Sequence, residues 1–240
     1  MCGRFSLYEP VEDLVERFAV DEVVTDEVVP RWNVAPSQGV LAVASSSDGS
    51  TRRLGTFRWG LVPSWAKDPS IGNRMVNARA ETVAVSGAFR SAFQRRRCLL
   101  PASGFYEWQR REVAGARRPA RRPFYLHAAN GSPLALAGLW EVWHDAEGGA
   151  LRTCTVITTR PNATLAPIHD RMPVIVPPSG WDRWLEPEPL RPDEREELLV
   201  PAPDDLLVAD PVGDRVNSPR NDGPDLVTPV SDDGDGGAGP

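Results

Sequence analysis

A chain of 240 residues, 41% of them hydrophobic, carries enough apolar mass for one sizeable core. No apolar run approaches the roughly 18 residues of a membrane helix, and the opening MCGRFSLYEP lacks the apolar centre of a secretory signal, so a cytoplasmic protein away from membranes is expected. The formal net charge of −6 hides an asymmetry: residues 52–125 hold 15 Arg and one Lys against four acids, while residues 196–240 hold two Arg against 11 acids. A basic central segment suits a phosphate-bearing partner, and equally a solvated surface that pairs with acids elsewhere.

In chain order, PVEDLVERF (10–18) reads as a short helix, with Pro10 in the first turn, Glu12 and Asp13 at the positive end of the dipole, and Leu14, Val15 and Phe18 on one apolar face. Strand-like runs follow at 40–44, 54–59, 124–128, 134–143 and 151–158, with short helices predicted at 84–94, 179–186 and 192–199. Strands and helices do not alternate, and neither GxGxxG nor GxxxxGK[ST] occurs, which removes the usual nucleotide-fold signatures. The predicted fold is therefore α+β, a single domain over 1–230 built on curved, barrel-like, mostly antiparallel sheets with short flanking helices. The acidic tail, 231–240, has no apolar anchor and is expected to be disordered.

The three cysteines, Cys2, Cys98 and Cys154, are too few and too scattered for a disulfide framework. No CxxC or Cys/His spacing suggests a metal, and no metal or other cofactor is expected. Cys98 and Cys154 lie in apolar stretches and read as core thiols. Cys2 is different. Removal of Met1, which a small second residue permits, exposes a 1,2-aminothiol. A free α-amine titrates near 8 and a thiol near 8.5, so some amine is unprotonated close to neutrality and can attack an aldehyde. The thiol then stands two carbons away, placed to close a five-membered thiazolidine. The same residue also suits nucleophilic amide hydrolysis.

Several polar residues stand in unusual company. Asn33 precedes a Pro-containing turn in RWNVAPSQ (31–38), and Trp65 lies in the loop-like half of RWGLVPSWAKD (58–68). NARAET (77–82) pairs Asn77 with Arg79, and RRCLLPASGFYEW (96–108) sets Glu107 between Tyr106 and Trp108. IHDRMPVIV (168–176) puts His169 beside Asp170. A carboxylate among aromatics is either a core acid or one whose pKa is raised for proton transfer. A histidine is either structural or a proton shuttle near pH 7. His127 and His144 have no such setting and are read as structural.

Taken in order, MCGRF, WNVAP, RWGLVPSWAKD, NARAET, RRCLLPASGFYEW and IHDRMPVIV resemble the successive motifs of the SOS response-associated peptidase (SRAP) family, with RVNSPRNDGPDLVTPV similar to its closing segment. The resemblance implies a DNA-damage protein that senses abasic sites in single-stranded DNA and crosslinks covalently to the ring-opened sugar through Cys2. It implies catalytic roles for Cys2, Asn77, Glu107 and His169, and DNA contacts from Arg4, Asn33, Trp65 and Arg79. Asn77 would orient the amine or the opened sugar, Glu107 would manage protons on the amine and Schiff base, and His169 would assist ring opening or a later proton transfer. Ala66 stands where the family often carries a second aromatic beside that Trp. The same resemblance implies a monomer that joins the nucleoid upon damage, with AP lyase and self-processing peptidase activity as further expectations. A thiol peptidase using Cys2, or a non-covalent single-strand-binding module in which Cys2 is idle, are the alternative functions.

Overall fold

The computed structural model describes residues 2–25, 28–112 and 119–231. Met1 and the tail beyond Ser231, for which removal and disorder are expected, lie outside them. The chain opens with β1 (Phe5–Leu7), α1 (Val11–Arg17), β2 (Glu22–Val23), β3 (Arg31–Val34), β4 (Gly39–Ser45), β5 (Arg52–Trp59) and β6 (Asn77–Arg79). There follow α2 (Arg90–Arg95), β7 (Arg97–Ala102), β8 (Gly104–Arg111), β9 (Ala120–Ala128), β10 (Leu134–His144) and β11 (Ala150–Thr159). The last elements are β12 (Met172–Pro173), α3 (Trp181–Leu185), α4 (Pro192–Leu198) and β13 (Leu207–Pro211).

The long strand-like runs all became strands, and β10 and β11 are buried on both faces over most of their length, as suits apolar and β-branched runs in a closed sheet. The helix predicted over 84–94 is α-helical only from Arg90, after a series of turns. Within 179–186 a 3-10 turn at Pro178–Gly180 precedes α3, since two prolines deny the backbone donors for a longer helix. The antiparallel pairs β11–β10, β10–β7, β7–β4 and β4–β5 run around a ring. Parallel pairing of Thr153 and Cys154 with Arg58 and Trp59 then joins β11 back to β5 and closes a barrel. Gly138 lets β10 pass through the barrel wall: a Cβ there would lie 2.1 Å from Leu100 Cδ1 and 2.9 Å from Cys98 Sγ. Cys98 and Cys154 are fully buried in this wall, as their apolar neighbours suggested.

A second sheet runs β13–β9–β8–β1–β3, antiparallel throughout. On β8 Phe105 joins the main core while its neighbour Tyr106 packs into a smaller core with Tyr125, Val212, Val216 and Leu226. Alternation therefore gives Glu107 the side that Phe105 faces. Strand β6 lies beside the barrel, paired parallel to β11 with Asn77 opposite Val156. The start of β1, the middle of β8 and the start of β6 meet where the two sheets adjoin.

Candidate active site

Cys2 enters this junction as a fully buried residue just before β1. The Asn77 side-chain amide donates to the Cys2 carbonyl at 2.8 Å, tying the chain terminus to β6. The other end of that amide, Oδ1, is buried and has no protein hydrogen-bond partner among the described residues. An amide held by its nitrogen presents its oxygen as a fixed acceptor. Burial, reinforced by the charge of Glu107, pushes the Cys2 thiol far above its ordinary range, so the thiol is neutral at physiological pH.

Glu107 is 2% exposed. Removal from water raises its pKa to about 7. His169 comes from a different part of the chain. Its loop is built by Asn162, whose Oδ1 accepts from Leu165 N at 3.0 Å and whose Nδ2 donates to the carbonyls of Ala202 and Pro203. Gln109 Nε2 donates to Pro167 O at 3.1 Å and moors that loop to β8. His169 Nε2 thereby stands 3.7 Å from Glu107 Oε2. His169 Nδ1 lies 3.0 Å from the backbone N–H of Arg171, 3.2 Å from Arg171 O and 3.2 Å from Asp170 Oδ1, which leaves Nε2 facing the carboxyl group. Burial also holds the His169 pKa below its ordinary value. A carboxyl group raised to about 7 and an imidazole thus stand side by side near the buried Cys2.

Asn77 holds Cys2, the charge of Glu107 acts on its thiol and His169 stands beside Glu107, although the sequence spreads these residues over some 170 positions. The four residues expected to touch DNA occupy three different settings. Arg79 is exposed, two residues beyond Asn77 on β6. Trp65 is 64% exposed on a loop. That loop begins at Gly60, whose φ of +128° and contact with Gly72, 2.5 Å from a would-be Cβ to the carbonyl oxygen, admit no side chain. It is pinned again where Trp143 Nε1 donates to Ala66 O at 2.7 Å. Arg4 is half-buried, its guanidinium 5.7 Å from the centre of the Trp108 ring. Its Nη1 donates to Asn33 Oδ1 at 2.7 Å and to Val216 O at 2.8 Å. Asn33 is fully buried, and its Nδ2 reaches the carbonyls of Val216, Ser218 and Asn221. Where the structure places it, Asn33 clasps the C-terminal segment around Arg4.

Glu81 and Arg171 are two further residues that the fold brings to the site. Arg171 forms a two-pronged ion pair with Glu81 at 2.6 and 2.9 Å and donates to Thr158 O at 2.6 Å. This bridge joins the Asn77 segment to the His169 segment. The signal was available, since Glu81 lies in NARAET and Arg171 in IHDRMPVIV.

Residues 1–219 match the family described as SOS response associated peptidase (SRAP). The chain is 43% identical over 228 residues to the abasic site processing protein YoqW of Bacillus subtilis, covering 95% of this chain and 99% of that protein. It is 29% identical over 240 residues to the abasic site processing protein YedK of Escherichia coli, covering 96% and 100%. The fold superposes with a TM-score of 0.80 on a crystal structure of a protein from Bacteroides thetaiotaomicron, at 24% identity and over 96% of this chain and 100% of that one.

Proposed function

This chain belongs to the SOS response associated peptidase family, and on that premise we propose that it senses abasic sites in single-stranded DNA and crosslinks to them through a thiazolidine on Cys2. The observation that carries this reading is the assembly of Asn77, Glu107 and His169 near the chain's N-terminal cysteine. Loss of Met1 frees the Cys2 amine. The amine lone pair attacks the aldehyde carbon of the opened sugar, the former carbonyl oxygen collects protons and leaves as water, and an imine forms. The sulfur then adds to the imine carbon while the thiol proton passes to nitrogen, closing the ring. The net change is the loss of one water.

The site's residues divide this work. Asn77, anchored on the Cys2 carbonyl, fixes the amine and offers Oδ1 to it or to a sugar hydroxyl. Glu107 as carboxylate accepts the ammonium proton and returns it to the departing water. His169 donates from Nε2 to the ring oxygen as the cyclic sugar opens. A thiol held neutral by burial favours attack by the amine first and ring closure by sulfur second. The same burial disfavours the thiol-peptidase alternative, because nucleophilic cysteines need a depressed pKa. Elimination from the imine would give strand-incising lyase activity as a side branch. We read the protein as a monomer on its lesion, at work in the cytoplasm and on the nucleoid once damage arises.

Intact mass after incubation with a single strand carrying one abasic site tests the reading. The expected species lacks Met1 and has gained the oligonucleotide less one water; crosslinking by protein that retains Met1 would overturn the aminothiol mechanism.

Strand binding should be electrostatic and largely blind to sequence, through exposed arginines such as Arg79 and stacking on Trp65. Affinity measured by fluorescence anisotropy is expected to fall as salt rises from low to physiological strength. Arg79→Ala should weaken binding on every sequence and flatten that slope. An affinity indifferent to salt would remove the phosphate contacts from the account.

A further inference from the structure

An open groove of about 400 Å³ shares none of its lining residues with the candidate active site. Its floor is apolar: Ile175, Trp181 and Leu198 lie at its base, and Pro177, Val200 and Leu206 shape its sides. Trp181 is held rigidly, stacked on Phe18 at 4.6 Å and donating from Nε1 to Val176 O at 2.9 Å. The floor is therefore preformed. Val200, 45% exposed, leaves apolar surface open to water at its rim.

A second, wider hollow continues from the first and shares Arg17, Asn130, Ser132, Pro133, Pro178 and Trp181 with it. Its wall is acidic, made by Glu9, Asp13 and Glu16, and Glu197 stands on the apolar side. The single cation among the described lining residues, Arg17, is occupied over the Trp181 ring at 5.8 Å. Asp13, Glu16 and Glu197 are all exposed and free to meet a positive charge. Glu9 follows β1, whereas Cys2 precedes it, and no residue of the candidate active site lines either hollow. An occupant here would leave the lesion site open.

Charge narrows what fits. A DNA strand is repelled by the acidic wall. The chain's own tail, 232–240, carries three Asp and no Lys or Arg, and is repelled likewise. A purely hydrophobic partner would leave the carboxylates unanswered. We propose that this groove is a docking surface for a partner protein's short extended segment in which aliphatic side chains alternate with Lys or Arg. The aliphatic side chains would fill the floor between Trp181 and Leu198, and the basic ones would reach Asp13, Glu16 and Glu197. The surface lets the protein hold a partner while its active site stays on DNA.

The test uses the full-length protein and a short fluorescein-labelled peptide alternating leucine and lysine, followed by anisotropy, with two control peptides, one replacing lysine by glutamate and the other replacing leucine by serine. The expected result is saturable binding of the first peptide alone, weakening with salt. The double variant Asp13→Lys/Glu16→Lys should lower that affinity by about tenfold or more, with abasic-site crosslinking unchanged. Equal binding of the serine–lysine peptide would mean that charge acts without the groove and would overturn the proposal, as would equal binding to the double variant or no binding at all. One further outcome would overturn it in favour of a second copy of this chain, whose residues 116–124, ARRPARRPF, are also basic and apolar. That outcome is concentration-dependent self-association in sedimentation, abolished by the same double variant.

Discussion

Cys2→Ser is expected to abolish the heat-stable DNA adduct while leaving strand affinity close to that of the parent. Serine keeps the α-amine and the backbone carbonyl that Asn77 holds, so an imine still forms and reverts. What disappears is the sulfur that closes the five-membered ring, and with it the trap. Borohydride treatment should recover the mutant's transient imine as a permanent link, which separates loss of ring closure from loss of binding. Strand incision through the imine should persist or rise, because the intermediate is no longer drained into the thiazolidine. The readout is a denaturing gel with and without borohydride. A heat-stable adduct from Cys2→Ser at the parent's yield would eliminate the thiazolidine.

Glu107→Gln should slow single-turnover crosslinking by roughly 10- to 10²-fold, the lower end of general acid–base assistance, because an aminothiol condenses readily with an aldehyde even unaided. The pH dependence supplies the sharper signature. Burial raises the Glu107 pKa to about 7, so the carboxylate that accepts the ammonium proton appears only as pH rises through that value. The parent's rate should climb across this range and the mutant should lack that inflection. His169→Ala should slow the reaction to a similar degree on the cyclic sugar and much less on a pre-opened aldehyde. Parent-like rates and an unaltered pH profile in Glu107→Gln would strip the carboxyl group of its role.

The same burial links catalysis to stability. A carboxyl whose folded pKa lies above its unfolded value near 4.5 costs the fold nothing below that value. The cost grows from there to about pH 7 and is constant above, on the order of 3 kcal/mol by the conversion of pKa shift to free energy. Glu107→Gln should accordingly melt at a higher temperature than the parent at pH 8, with the difference closing as pH falls toward 4.5. A stabilised but slower enzyme is the expected trade at a site that keeps a charge out of water.

The sequence by itself determined the chemistry available and most of the regular structure. An aminothiol is a property of Cys2 and of its place after Met1, whatever the fold around it. The long strands β10 and β11 follow from their apolar and β-branched runs, and the short α1 from its first-turn acids and apolar face, signals that adjacent residues carry on their own. Short strands were harder to read. β1 and β6 have three residues each, too few to show a period, and exist because longer neighbours offer them hydrogen bonds. The motifs RWNVAPSQ and NARAET offered Asn33 for DNA contact and Asn77 for catalysis, without showing what either amide holds. Tertiary structure separated them: one amide is spent on carbonyls of the C-terminal segment, while the other holds Cys2 and keeps an oxygen in reserve. It also decided that Glu107 meets His169, since a raised carboxyl pKa requires a buried setting and a proton partner requires a distance of a few ångströms. Residue types and their order are written along the chain, whereas burial and proximity between residues 2, 77, 107 and 169 arise only when the two sheets close on one another.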